Sequence, residues 1–89
     1  MAIKVEVFST STCPHCLAAI DAAEKAKNEL GDAIEVEAIK IDDPSNPENR
    51  QRAIDYQIMA VPTIVIDGEV TFVGAPSDDE LIDALKSKL

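Results

Sequence analysis

Residues 3–16 read Ile3-Lys4-Val5-Glu6-Val7-Phe8-Ser9-Thr10-Ser11-Thr12-Cys13-Pro14-His15-Cys16. The first six alternate apolar and polar side chains with period two and are rich in β-branched residues, which predicts a strand. Ser9 to Thr12 is a short polar loop, after which Cys13-Pro14 opens a helix. Proline suits a first helical position because its missing N–H is no loss there, so Cys13 falls at or near the N-cap. Cys16, Ile20, Ala23 and Leu30 then recur at helical spacing and define a core face, and Gly31 is a natural stop.

Downstream, Ile34-Glu35-Val36-Glu37-Ala38-Ile39-Lys40-Ile41 gives a second strand. Asp42 to Ser45 is a loop, and Asn46-Pro47 is the cap and first turn of a second helix that turns Ala53 and Ile54 inward. Thr63-Ile64-Val65-Ile66 is a near-continuous apolar run, suited to the interior of a sheet. Asp67-Gly68 before Val70-Thr71-Phe72-Val73 is a strong hairpin signal. Ser77-Asp78-Asp79-Glu80 is a capping box ahead of Leu81, Ile82, Leu85 and Leu89, with Lys86 and Lys88 where the helix dipole favours cations. The order is β-α-β-α-β-β-α, an α/β fold with a four-stranded mixed sheet flanked by helices. The first two strands should be parallel through a right-handed crossover and the last two an antiparallel hairpin.

With 89 residues and neither repeat nor linker, the chain is expected to form one domain, 1–89. Seventeen acidic against eight basic residues give a formal charge of −9, a field that repels phosphate backbones and anionic lipid. Nucleic-acid and membrane-surface roles are therefore disfavoured. No apolar run approaches the ~20 residues of a membrane span, and the N-terminus lacks the unbroken apolar stretch of an export signal. A cytoplasmic location is expected. Two closely spaced cysteines in that setting point to redox or metal chemistry rather than to a structural staple.

Cysteines three apart at a helix start lie within reach of closing a small disulfide ring, and they are not equivalent. Cys13 faces unpaired N–H groups at the positive end of the helix dipole, while Cys16 lies one turn in on the buried face. An ordinary thiol with a pKa of ~8.5 is only a few per cent ionised at neutral pH, and lowering it by about two units needs ~2.7 kcal/mol. The dipole supplies ~0.3–2 kcal/mol, which falls short alone. A charge-assisted hydrogen bond from a helix N–H or from the Cys16 thiol adds ~1.5–3 kcal/mol, and the two together suffice. His15 can add a donor or a positive charge. Cys13 is then the attacking sulfur, Cys16 the resolving one, and Pro14 and His15 tune the pair. The competing readings are half of a zinc or cluster site completed by a second copy of the chain, and a permanently oxidised structural pair. One chain has no second cysteine pair and only one histidine, so it cannot build a standard structural zinc site alone. No metal and no cofactor beyond the Cys13–Cys16 disulfide is expected.

The chain resembles the thioredoxin superfamily, in particular small thioredoxin- or glutaredoxin-like proteins of archaeal type. The resemblance rests on Phe8-Ser9 running into Cys13-Pro14-His15-Cys16, on Tyr56-Gln57-Ile58-Met59-Ala60-Val61-Pro62-Thr63, and on Gly74 after the hairpin. It implies a thiol–disulfide oxidoreductase of thioredoxin fold. It further implies that Pro62 is cis beside the active disulfide and that Val61 offers its backbone to a substrate segment. Pro14, Met59, Ala60, Val61, Ala75 and Pro76, with Gly74, would surround Cys13 with an apolar apron. Protein disulfides are the implied substrates, a thioredoxin-reductase-like protein the implied donor, and a monomer the implied state.

This chain also departs from the pattern. Thioredoxins usually carry Trp before the first cysteine and Gly-Pro between the pair, where Thr12 and Pro14-His15 stand here. The buried acid of the first strand and its lysine partner align with Val7 and Ala38, which leaves the group that deprotonates Cys16 unassigned. Pro-His between the cysteines is similar to the periplasmic disulfide-oxidant family. Pro14 and the segment from Gly74 to Asp79 are similar to glutaredoxin elements, so a glutathione-linked reaction is the alternative. Thr10 and Ala60 depart from that pattern.

Overall fold

The computed structural model describes residues 2–88. The elements are β1 (Ile3–Ser9), α1 (Cys16–Leu30), β2 (Ile34–Lys40), α2 (Glu48–Asp55), β3 (Thr63–Ile66), β4 (Glu69–Val73) and α3 (Asp78–Lys86), with a short 3-10 turn at Gly31–Ala33. The sheet order is β2-β1-β3-β4. β1 runs parallel to β2 and antiparallel to β3, and β4 closes the sheet as an antiparallel hairpin with β3. The mixed four-stranded sheet with three helices is the architecture expected.

Strand alternation assigns each residue to a face. Ile3, Val5, Val7, Ile34, Ile64 and Ile66 point to one side, where they meet Ala19, Ala22, Ala23 and Ala26 of α1 and Leu81, Ile82 and Leu85 of α3. Alanines dominate the buried stripe of α1, and their short side chains let the helix lie close to the sheet while favouring helix formation. Ile20 and Leu30, expected in the core, are half-buried at its margin. On the other side, Phe8, Ile39 and Val65 pack against Ala53 of α2, flanked by Ile41, Tyr56 and Ile58. Ile54 does not turn inward. It is 59% exposed, because on the short helix α2 the sheet-facing positions are Asn49 and Ala53.

The helix boundaries show which local signals prevailed. Gly31 ends α1 at φ 59°, a conformation open to glycine, while Lys27 Nζ donates to the Gly31 and Ile34 carbonyls at 2.9 and 2.7 Å. At α3 the capping box is present in full, Ser77 Oγ accepting from the Glu80 N–H and the Glu80 carboxylate accepting from the Ser77 N–H. The Asp67-Gly68 turn has positive φ at both residues, the geometry that matches hairpin twist. The bulge at Ile64/Val65 leaves Thr71 as the extra residue of β4. Pro47, and not Asn46, is the N-cap of α2, and no side chain caps it. β2 ends one residue before Ile41, although the Ile41 N–H still donates to the Ser9 carbonyl at 2.8 Å. Leu89, expected on α3, lies outside the described residues.

One buried charge departs from the strand pattern. Glu6, a polar position of the alternating β1 pattern, is 6% exposed beneath α2. Arg52 donates to it at 2.6 Å and to Glu37 at 3.1 Å, and the Tyr56 hydroxyl donates to Glu6 at 3.2 Å. Lys4 of β1 completes the group, 3.2 Å from Glu37.

Candidate active site

β1 delivers the chain to the cysteines. Its last residue, Ser9, is buried, and residues 10–15 cross to α1 as a loop and turn. Cys13 and Cys16 are disulfide-bonded, with Cα atoms 5.4 Å apart. Cys13 is half-buried and Cys16 is 3% exposed, so one sulfur carrier faces the surface and the other the core. Pro14 and His15 between them are both exposed.

The helix begins later than expected. Its first residue is Cys16 and its N-cap is His15, because the first helical bond is Ala19 N–H to the His15 carbonyl. Pro14 therefore lies in the turn ahead of the helix, and Cys13 two residues before the cap. The Cys13 N–H instead closes a turn onto the Thr10 carbonyl at 3.4 Å. No side chain caps the first turn of α1, and no acidic side chain stands in it. The N–H groups of that turn are left without a side-chain partner at the positive end of the helix, next to the cysteine loop.

A cavity of about 220 Å³ opens beside the pair, lined by Ser9, Thr10, Ser11, Cys13, Cys16, Leu17, Ile20 and Lys40. Leu17 is 73% exposed at its rim. Val7 and Ala38, the positions where a buried acid and lysine stand in the related pattern, are register partners across β1 and β2. This pairing leaves two apolar side chains on the α1 side of the sheet. Lys40 is the one titratable residue among the cavity's lining besides the cysteines.

The second half of the site comes from the far side of β1. Phe8 pairs with Thr63, so β3 begins at the sheet end where β1 finishes. The Val61–Pro62 bond is cis, with Pro62 buried and Val61 half-buried. Thr63 Oγ1 donates to the Ala60 carbonyl at 2.6 Å, which pins the turn before the strand. Gly74 donates its N–H to the Pro62 carbonyl at 2.7 Å, bringing the end of β4 to the same place. Ala60, Ala75 and Met59 are exposed, and Met59 is 97% so. The topology thus gathers Cys13, Pro14, His15, Cys16, Ala60, Val61, Pro62, Gly74 and Ala75 at one end of the sheet.

Asp42 carries no sequence signal beyond its place in the loop after β2. Its two carboxylate oxygens accept from the Ser11 N–H at 3.1 Å each, and Oδ1 also accepts from the Ser11 hydroxyl at 3.2 Å. The partners are 31 residues apart, so no local pattern announces the contact. Among the described residues, no group of three or more His, Cys, Asp or Glu comes together in a metal-ligating arrangement.

An unequal disulfide at an uncapped helix mouth, at one end of a mixed α/β sheet, is the arrangement of a thiol–disulfide oxidoreductase. The comparisons with known proteins agree. A family model described as a thioredoxin domain matches residues 1–86. The thioredoxin of Methanocaldococcus jannaschii is 48% identical over 87 residues, covering 98% of this chain and 96% of that protein. A probable thioredoxin of Methanothermobacter marburgensis is 47% identical, covering 100% and 99% respectively. The solved structure of a mutant thioredoxin from Halobacterium salinarum superposes with a TM-score of 0.75 at 27% identity, covering 96% of this chain and 73% of that one. The chain belongs to the thioredoxin family, and its activity is that of a protein-disulfide oxidoreductase.

Proposed function

We propose that the chain acts as one domain that reduces disulfides in protein substrates, with Cys13 as nucleophile and Cys16 as resolving thiol. The observation that carries this reading is the asymmetry of the pair, Cys13 half-exposed ahead of an uncapped helix and Cys16 buried within its first turn. In the dithiol form, Cys13 thiolate attacks one sulfur of a substrate disulfide. A Cys13–substrate bond forms, the substrate bond breaks, and the second substrate sulfur leaves as thiolate. Cys16 then gives up its proton to solvent and attacks Cys13 Sγ, releasing the first substrate sulfur. The Cys13–Cys16 disulfide forms, two electrons have passed to the substrate, and a dithiol donor of thioredoxin-reductase type restores the pair.

The remaining roles are part of the same proposal. Pro14 and His15 lie between the sulfurs and tune the pair, His15 by donating to or standing near the thiolate. Val61 presents its backbone to an extended substrate segment in the manner of strand addition. Ala60, Pro62, Gly74 and Ala75 give that segment a small, largely apolar bed. The reaction needs no metal and no cofactor other than the cysteine pair. The protein works as a monomer in the cytoplasm, where a reducing pool supports the direction chosen. Among the described residues no helix is long and apolar enough to cross a membrane.

Insulin reduction tests this reading. The wild type should accelerate it with a thioredoxin-reductase system in preference to glutathione, and Cys13→Ser should abolish the acceleration. Cys16→Ser should instead accumulate mixed disulfides with protein substrates. A Cys13→Ser variant as fast as the wild type, or turnover driven equally well by glutathione, would contradict the assignment.

A further inference from the structure

The loop that carries Cys13 is tied by one side chain to the turn that follows β2. Thr10, Thr12, Pro14 and His15 make no side-chain hydrogen bond among the described contacts, and α1 starts with no side-chain cap. Within residues 10–15, backbone bonding ahead of the helix amounts to the long turn from Cys13 N–H to the Thr10 carbonyl at 3.4 Å. Against this sparse background, Asp42 accepts both the N–H and the hydroxyl of Ser11. Ser11 is the second residue of the loop and lies two residues before the attacking sulfur. Asp42 itself is well anchored, since Ile41 before it extends the β1–β2 ladder through its bond to Ser9.

We infer that Asp42 is a positioning residue for disulfide exchange. It holds the Ser11 backbone so that Cys13 is presented at the mouth of α1. The inference rests on Cys13 being the attacking sulfur. Nucleophilic attack on a disulfide requires the thiolate to lie in line with the bond being broken, and a mobile loop samples that geometry only part of the time. The contact is exposed, so it contributes little to global stability. Its effect is felt in where the sulfur sits. The carboxylate also carries a negative charge on the loop of the developing thiolate, so charge alone would make Asp42 unfavourable for attack. Its bonding to Ser11 is what gives it a use.

Asp42→Ala and Asp42→Asn separate these effects, because both remove the charge and only Asn keeps an acceptor for the Ser11 N–H. The rate to measure is that of the reduced, full-length protein with 2-hydroxyethyl disulfide at fixed pH, a probe too small to report on protein docking. Asp42→Asn should react within about twofold of the wild type, and Asp42→Ala about five- to tenfold more slowly than Asp42→Asn. Arg52→Ala, which loosens the fold from beneath α2, should leave the rate unchanged. Equal rates for the Ala and Asn variants would overturn the inference, as would an equal slowing in Arg52→Ala, which would mark the effect as general loosening. A Cys13→Ser variant that still reacts would remove the reading of Cys13 instead, so the two failures are distinguishable.

Discussion

Under α1 and α3 the sheet meets a continuous apolar layer in which Val5, Val7, Ala19, Ile64, Leu81 and Leu85 are fully buried. Under α2 the buried layer is Phe8, Ile39, Ala53 and Val65, and beside it lies the carboxylate of Glu6 held by Arg52 and Tyr56. The first face is secured by area removed from water, which is non-directional and tolerant of exchange among apolar side chains. The second depends on geometry, since a buried carboxylate is costly unless its partners stay in place. The cysteine helix rests on the first face, so the redox site is carried by the more forgiving half of the molecule. The Phe8–Tyr56 edge-to-face contact, with ring centroids 5.8 Å apart, joins the charged cluster to the apolar layer beneath α2.

The contrast can be attacked from either side. Leu81→Ala, on the apolar face, should have the largest effect, a loss of about 2–5 kcal/mol in denaturant unfolding from lost transfer energy and the cavity left behind. Arg52→Ala comes next, at about 2–3 kcal/mol, because it strands a buried carboxylate with only the Tyr56 hydroxyl. Glu6→Gln should cost less than Arg52→Ala, since it removes the charge rather than isolating it. The reverse order would show that the cluster is not held by its ion pair.

The smallest effect is one of pH. Hydrogen bonding from the Arg52 guanidinium, with help from Lys4, holds the Glu37 carboxyl below its ordinary value of 4.5. A lowered folded-state pKa gives stability that is present above the unfolded value and lost as pH falls through the folded one. Glu37 is substantially exposed, so solvent screening limits the pair to about 0.2–1 kcal/mol. The difference in unfolding free energy between wild type and Glu37→Gln should be that size at neutral pH and vanish in acid below the usual glutamate range. A difference that persists there would contradict the assignment.

Legibility in the sequence followed the same division. Period-two alternation marked β1, helical spacing marked α1 and a continuous apolar run marked β3, while Asn46-Pro47, Asp67-Gly68 and Ser77 to Glu80 placed a helix start, a hairpin turn and a capping box, because each signal is complete within a few residues. The start of α1 was misplaced, because proline marks a first helical turn only when the bonding after it is helical. Here the first such bond reaches back only to His15. Ile54 was misread for want of length, since two turns of helix leave too few positions to fix a phase. Glu6 and Asp42 were invisible for a different reason. Their partners Arg52 and Ser11 stand 46 and 31 residues away, and alternation alone makes one a surface residue and the other a loop. Cys13 and Cys16 were legible because their chemistry needs short spacing.

All of the chemistry proposed depends on Cys13 being ionised near neutral pH in the reduced protein. Titration of the thiolate by its ultraviolet absorbance, with Cys16→Ser to assign the signal, measures this. The account predicts a Cys13 midpoint about two units below the ~8.5 of an ordinary thiol, with Cys16 well above it. A Cys13 midpoint at the ordinary thiol value would contradict it.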